Sequence, residues 1–315
     1  HFEEAGLASM IKDVNADIRD FDSMDRIFKE NNPDFVFHLA AQSLVKKSYE
    51  NPIETYETNF IGTLNILEAL RSYDQDCIAV LITSDKCYEN VEWVWGYKET
   101  DPLGGPDPYS ASKGAAELVI RSHIKSYFPS NSSKIRIASA RAGNVIGGGD
   151  WALDRIIPDC VKSWSNNKIV KLRNPNATRP WQHVLEPLSG YLALSLRLIE
   201  DRDIHGESYN FGPPAHQDHS VGELVGRIGD YWKEATWQDV SDEYSGPSES
   251  GLLKLNCDKA LHDLNWTSTW GFEETIKETA LWYRYFYEQQ NESILETTFG
   301  QIDSYVKDAQ QLNHP

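Results

Sequence analysis

Cysteine is scarce in this chain. Four in 315 residues, with no CxxC pair, exclude a disulfide scaffold and read as reduced thiols at Cys77, Cys87, Cys160 and Cys257. No apolar run is long enough to span a bilayer, and His1 opens neither a signal peptide nor a transit peptide. The expectation is a cytoplasmic protein with no membrane partner. Positive charge is also short: 30 Lys and Arg face 48 Asp and Glu, a formal net charge of −18. That field repels phosphate polymers and excludes nucleic acid as the main partner, while a local positive pocket still admits a small phosphate-bearing ligand. No His/Cys/Asp cluster has metal-ligand spacing, so no metal is expected.

What is present is a regular alternation. Phe35 to Ala40 is a compact apolar run that reads as a buried strand, followed by helical spacing of Tyr56, Phe60, Leu64 and Leu67 within Ile53 to Leu70. Cys77 to Thr83 predicts a second strand, Tyr109 to Tyr127 a second helix, and Ile135 to Ala140 a third strand. Apolar strands separated by helices predict an α/β fold, a Rossmann-type doubly wound parallel sheet covered on both faces. In such sheets ligands gather at the carboxyl ends of the strands. The motifs Ser84-Asp85-Lys86 and Arg141-Ala142-Gly143-Asn144 fall just past two of those ends.

The second half predicts helices at Leu153 to Trp164, Glu186 to Ile199, Val221 to Trp232 and Phe272 to Tyr287. Short strands are predicted near Ile169 to Leu172, Gln182 to Val184 and Ser208 to Phe211, joined by turns rich in Gly, Pro and Asn. The expected organisation is a nucleotide-binding domain over 1–150, a smaller α/β lobe over 151–290 with segments returning to the sheet, and a loosely attached helical tail after Asn291.

One element of a dinucleotide fold is absent, the first strand with its Gly-rich turn. None precedes residue 35. Gly222, Gly226 and Gly229 fall inside a helical pattern, and Gly147-Gly148-Gly149 runs into Asp150-Trp151. This predicts that about 40–50 residues, a βαβ unit plus a strand, lie upstream of His1.

Tyr109 and Lys113 stand four apart on one predicted helix and share a face. A nearby ammonium favours the phenolate, which can take a proton from a sugar hydroxyl while hydride leaves the same carbon. Alone, YxxxK is a weak signal that also fits a surface helix. Asp85 and Lys86 add an acid and a base that a simple alcohol oxidation does not use, and so predict an elimination.

With these motifs the chain resembles the extended short-chain dehydrogenase/reductase family from about residue 15 to about 290. The resemblance is carried by Asp17-Ile18-Arg19-Asp20, His38 to Gln42, Asn59 to Thr63, YSASK at Tyr109 to Lys113, and RAGNVIGGGDW at Arg141 to Trp151. Within the family it is similar to nucleotide-sugar 4,6-dehydratases that act on CDP-glucose, through Thr83 to Asn90, Glu92 to Glu99 and Arg179 to Tyr191.

The resemblance implies NAD as cofactor. Asp17 and Ile18 would contact adenine, Ala40, Ala41, Gln42 and Asn59 would line the groove, and Tyr109 and Lys113 would hold the ribose and serve the redox step. It implies that Ser84 bonds the substrate 4-hydroxyl and that Asp85, protonated, releases the 6-hydroxyl as water. Lys86 stands where dTDP-sugar dehydratases carry a glutamate base. It would act either as the C5 base or as a cation stabilising the enolate. Asn144, Arg155, Arg179, Trp181 and His183 are candidates for the nucleotide-sugar pocket: Arg179 to fork onto a diphosphate, Trp181 to pack on a ring, His183 to offer a neutral hydrogen bond. A homodimer or homotetramer is expected, as is a place in making deoxysugars for surface polysaccharide (O-antigen). Two other readings stay open: a nucleotide-sugar epimerase, which has no use for Asp85 and Lys86, and a non-catalytic Rossmann-like binding protein.

Overall fold

The computed structural model describes residues 1–233, 235–243, 251–288, 293–312 and 314; Asn291, where the tail was expected to start, lies outside them. The chain enters through an irregular stretch, and α1 (Phe21–Asn31) begins where Asp20 accepts the Ser23 N–H at 3.3 Å. Next come β1 (Phe35–His38), α2 (Val45–Glu50) and α3 (Pro52–Tyr56), which runs through a π turn (Glu57–Ile61) into α4 (Gly62–Ser72). The predicted helix over Ile53 to Leu70 is therefore interrupted. The π turn admits one extra residue and aims Asn59 inward, which periodicity alone does not reveal.

β2 (Cys77–Ile82), α5 (Pro108–Tyr127) and β3 (Ile135–Ala142) complete the first half, and β4 (Val145–Ile146) follows. The second half holds α6 (Ile156–Trp164), β5 (Val170–Leu172), β6 (Thr178–Arg179), β7 (Gln182–His183), α7 (Leu185–Glu200), β8 (Ser208–Phe211), β9 (His219–Ser220), α8 (Val221–Gly229) and β10 (Trp237–Asp239). It ends with α9 (Asp258–Leu264), α10 (Phe272–Glu288) and α11 (Ile294–Gln311).

The central sheet is all parallel in the order β1-β2-β3-β8, with Phe35 opposite Ile78, Cys77 opposite Ile135 and Ser139 opposite Ser208. Side chains alternate across it as a pleat requires. Cys77, Ala79 and Leu81 pack under α1, α4 and α5, whereas Ile78 and Val80 face α7 and α9. Leu67 and Leu70 on one face and Leu194 and Leu198 on the other are fully buried, each contributing about 1.5–3 kcal/mol relative to exposure. Both faces are thus covered, and β8 carries the second half of the chain back into the sheet.

A separate core in the second half joins Ile157, Val161, Trp164, Leu224, Ile228, Ile276 and Trp282. Small pairings tie this region together: β5 with β10, β4 with β7, and β6 with β9. The helix α11 is firmly docked rather than loosely attached. Tyr305 is buried and donates to Glu186 Oε2 at 2.8 Å, and Trp270 and Trp282 donate to Asp308 and Thr298. Among the described residues no helix is long and apolar enough to cross a membrane.

Candidate active site

β2 ends at Ile82, and the chain turns at Ser84, whose Oγ accepts the Lys86 N–H at 3.2 Å and caps the short turn Asp85–Cys87. The same hydroxyl donates to Asp85 Oδ1 at 3.0 Å, while Asn144 Nδ2 donates to Oδ2 at 3.2 Å. Asn144 sits just past β3 with φ 53, a left-handed conformation that asparagine tolerates. Its neighbour Gly143 lies so close that a Cβ there would stand 1.9 Å from Asp85 Oδ2. Gln182 holds the Gly143 carbonyl at 3.0 Å. Asp85 is only 2 % exposed. Burial pushes its carboxyl up, against the pull of Lys86, the Ser84 hydroxyl and Arg179, and so favours the proton-bearing form.

Tyr109 reaches this cluster from α5. Asp107 caps that helix by accepting the Ser110 N–H at 2.9 Å, Pro108 supplies a fixed φ at its start, and Ser48 Oγ receives the Tyr109 N–H at 3.2 Å. The phenol is buried, with Ser84 near enough to favour its ionised form. Burial pushes it up to about 12, with Ser84 and Arg155 pulling down and Asp85 pushing up. The expected lowering by Lys113 is therefore not realised, because desolvation outweighs every neighbouring charge. Lys113, 5 % exposed, is itself pushed down to about 8 by burial. His38 lies near it, pushed down to about 4 by burial and by the Lys113 charge, and bonds Thr63 at 3.1 Å.

Beside them runs a polar seam. Asn59 Oδ1 accepts the Gln42 N–H at 2.8 Å, and Asn59 Nδ2 donates to Gln42 O and to Ser112 Oγ at 3.0 and 2.9 Å. Gln42 is thereby fixed at the end of β1, next to Ala41 (half-buried) and Ala40 (exposed). Arg155, the residue just before α6, donates to Ser43 Oγ at 2.9 Å and pairs with Asp150 at 3.2 Å. Arg179 is buried, donates to Thr178 O at 2.7 Å, and its charge acts on Asp85.

Four predicted residues stand apart from this cluster. Asp17 is exposed and bound to Arg19 at 2.6 Å, which holds its carboxyl down at about 2. Ile18 packs against Gly62 at the start of α4. Trp181 is buried in the core of the second half, its indole N–H on the His219 carbonyl at 3.2 Å. His183 is buried edge-to-face on Trp270 and pushed down to about 3, hence neutral, with Nδ1 accepting from Leu185 N at 3.3 Å. Sequence reasoning missed Gly143, Ser48 and Gln182, which act through close approach or backbone contacts that carry no residue pattern. It also missed Glu117, whose spacing from Lys113 on α5 was a usable signal.

A cavity of about 270 Å³ opens behind α5, lined among others by Glu99, Glu117, Arg121, Arg141 and Glu207. None of the predicted site residues lines it, and we assign it no chemistry.

The parallel sheet, with a Tyr–Lys helix laid against an acidic turn at its carboxyl edge, defines a Rossmann-type protein of the short-chain dehydrogenase/reductase class. The family described as GDP-mannose 4,6 dehydratase matches residues 2–279, and the chain belongs to it. It is 44% identical over 309 residues to a CDP-glucose 4,6-dehydratase of Salmonella typhimurium, covering 97% of this chain and 85% of that one. Among solved structures it resembles Pal from Bacillus thuringiensis (TM-score 0.74, 25% identity, 87% and 83% of the two chains). It also resembles a dTDP-glucose 4,6-dehydratase from Bacillus anthracis in complex with NAD (TM-score 0.71, 23% identity, 88% and 80%).

Proposed function

We propose that this chain dehydrates CDP-glucose to CDP-4-keto-6-deoxyglucose with NAD as cofactor. The observation that carries the reading is Asp85: a buried carboxyl biased toward its protonated form and bonded to Ser84, whose hydroxyl acts on the Tyr109 phenol. The Salmonella relative, matched over nearly the whole chain, supports CDP-glucose as the substrate.

The residues at the end of β1 fit NAD. Ala40 and Ala41 carry no bulk, and Gln42 is already fixed by Asn59, so a flat dinucleotide finds an unobstructed wall. Asp17 and Ile18, the latter packed on Gly62, are the residues that would meet the adenine. Bound there, NAD would supply the hydride chemistry, an acceptor for hydride from C4 and a donor of it to C6. Tyr109, once its own proton has been released, accepts the 4-hydroxyl proton as a phenolate, and C4 is left as a ketone. The ketone acidifies the C5 proton, and Lys86 serves its removal. Asp85 then donates its proton as the C6–O bond breaks and water leaves; a proton finally returns to C5. Lys113 is the buried ammonium beneath Tyr109, and Arg155 with Arg179 supplies positive charge for the diphosphate. Asn144 orients Asp85, while Trp181, whose backbone N–H donates to the Arg179 carbonyl at 3.0 Å, supports Arg179 from the core of the second half, and neutral His183 packs on Trp270 behind it.

The same reading includes a cytoplasmic homo-oligomer contributing to deoxysugars of surface polysaccharide (O-antigen). Exposed Ile53 and Tyr56 of α3 and Leu118 and Tyr127 of α5 supply the apolar dimer face, with a homotetramer requiring further contacts. The test of the activity is incubation with CDP-glucose and NAD. A product lighter by one water, giving the alkali-dependent chromophore of a 4-keto-6-deoxy sugar, supports the reading. An epimer of unchanged mass overturns it.

A further inference from the structure

We propose that Glu117 is a positioning residue for the dehydration, clamping the Tyr109–Lys113 helix to the turn that carries Ser84, Asp85 and Lys86. The inference rests on the dehydratase reading above and concerns a residue that touches neither substrate nor cofactor in it.

The carboxylate of Glu117 is 2 % exposed and meets three elements at once. Oε1 accepts from Thr83 Oγ1 at 2.5 Å, at the end of β2 and immediately before Ser84. Oε2 accepts from Ser139 Oγ at 3.1 Å and from Arg141 Nη2 at 2.6 Å, both on β3. The guanidinium of Arg141 continues the link. It donates to the Tyr88 hydroxyl at 2.7 Å and lies over the Tyr88 ring, so the far end of the same turn is also held. Tyr88 in turn donates to Asn210 Oδ1 on β8 at 2.7 Å. The turn carrying the proposed acid is thus gripped on both sides through one carboxylate on α5.

Glu117 lies one helical turn from Lys113 and two from Tyr109. Between them Gly114 lets α5 approach closely: a Cβ there would stand 3.2 Å from the Cys87 carbonyl oxygen. Any shift of Glu117 along its ligands therefore moves the Tyr109 hydroxyl against Ser84. Displacements of about 1 Å cost on the order of 100-fold in rate.

A second consequence is electrostatic. Lys113 faces His38 from β1, Cys87 from the turn after β2, and Tyr109 and Glu117 from its own helix. His38 and Tyr109 stay neutral near pH 7, as does Cys87, whose thiol burial pushes well up. Glu117 stays ionised because Arg141 and the two hydroxyls outweigh its burial. It is the negative charge that keeps Lys113 protonated, so its removal lowers Lys113 further.

The experiment compares wild type, Glu117→Gln, Thr83→Val and the double variant Glu117→Gln/Arg141→Met in CDP-glucose turnover across pH, with near-ultraviolet circular dichroism as the folding control. Glu117→Gln alone leaves Arg141 buried without its anion and can fail to fold; the double variant removes both charges and keeps an amide for Thr83 and Ser139. The expected result is a folded double variant with KM within about 3-fold of wild type and kcat lower by about 100-fold. The alkaline limb of its rate profile lies at lower pH than in wild type, and Thr83→Val loses kcat without the limb moving. A folded double variant with wild-type kcat and an unmoved limb overturns the inference while leaving the dehydratase reading intact. Wild-type protein that forms no 4-keto product overturns the dehydratase reading itself, and with it a positioning role in that reaction.

Discussion

Replacing Gly143 by alanine isolates the geometry of Asp85. The added Cβ would stand 1.9 Å from Oδ2 and 2.0 Å from Cγ, where ordinary contact begins at 3.4 Å. The carboxyl must therefore retreat by about 1.5 Å. It cannot do so without loss, because Ser84 Oγ and Asn144 Nδ2 hold its two oxygens and the Gly143 carbonyl is tied to Gln182. The backbone of Gly143 is not left-handed, so alanine brings no strain of its own. Overpacking of this kind lowers stability by about 1–3 kcal/mol, and a displaced acid lowers kcat by on the order of 100-fold or more. Steady-state formation of the 4-keto-6-deoxy product, read by its alkali-dependent absorbance, measures the second effect, and denaturant unfolding measures the first. Gly226→Ala is the matched control: nothing lies within 4 Å of its Cβ, it is exposed in α8, and it should gain up to about 1 kcal/mol with unchanged turnover. Wild-type kcat in Gly143→Ala would refute the claim that this contact positions the acid.

Three further outcomes are expected. Lys86→Ala abolishes solvent-deuterium incorporation at C5 while C4 oxidation in a single turnover persists; unchanged incorporation removes Lys86 from the C5 step. Glu186, which accepts from Thr269 N, Trp270 N and the Tyr305 hydroxyl, is pushed up by burial to about 7 from 4.5. The folded state thus holds a proton that the unfolded state has lost between those values, so stability falls by about 3 kcal/mol as pH rises from 4.5 to 7; Glu186→Gln flattens that slope in urea titrations. Lys113 has the opposite sign: pushed down to about 8 from 10.5, it is neutral in the folded state while the unfolded chain is still protonated, so stability rises by about 3 kcal/mol over that interval. Lys113→Met removes this alkaline gain, which the same titrations detect.

Much of the fold was legible in the sequence because buried parallel strands are nearly continuous apolar runs, and β2 stands out as such, while β3 keeps enough of the pattern despite Arg136, Ser139 and Arg141. The turn after β2 was legible for a related reason, since polar residues beyond a buried strand's carboxyl end rarely serve packing. The π turn that aims Asn59 at Gln42 was not legible, because one inserted residue leaves the apolar spacing of α4 nearly unchanged. Gly143 was hidden for a different reason: its meaning lies in the Asp85 carboxyl that another segment brings to where a side chain would begin. Trp181 illustrates an ambiguity of composition, since a tryptophan near an arginine reads equally as ring platform or core, and here it is core. The direction of the Tyr109 shift also escaped, because helical spacing to Lys113 says nothing of how deeply the phenol is buried.

The central claim is that hydride leaving C4 reappears at C6 of the same sugar after water is lost. CDP-glucose deuterated at C4, turned over by this protein in ordinary water and analysed by NMR, tests it most directly. The account predicts a 4-keto product with the deuterium at C6. Deuterium retained at C4 in a product that has kept its 6-hydroxyl would contradict it.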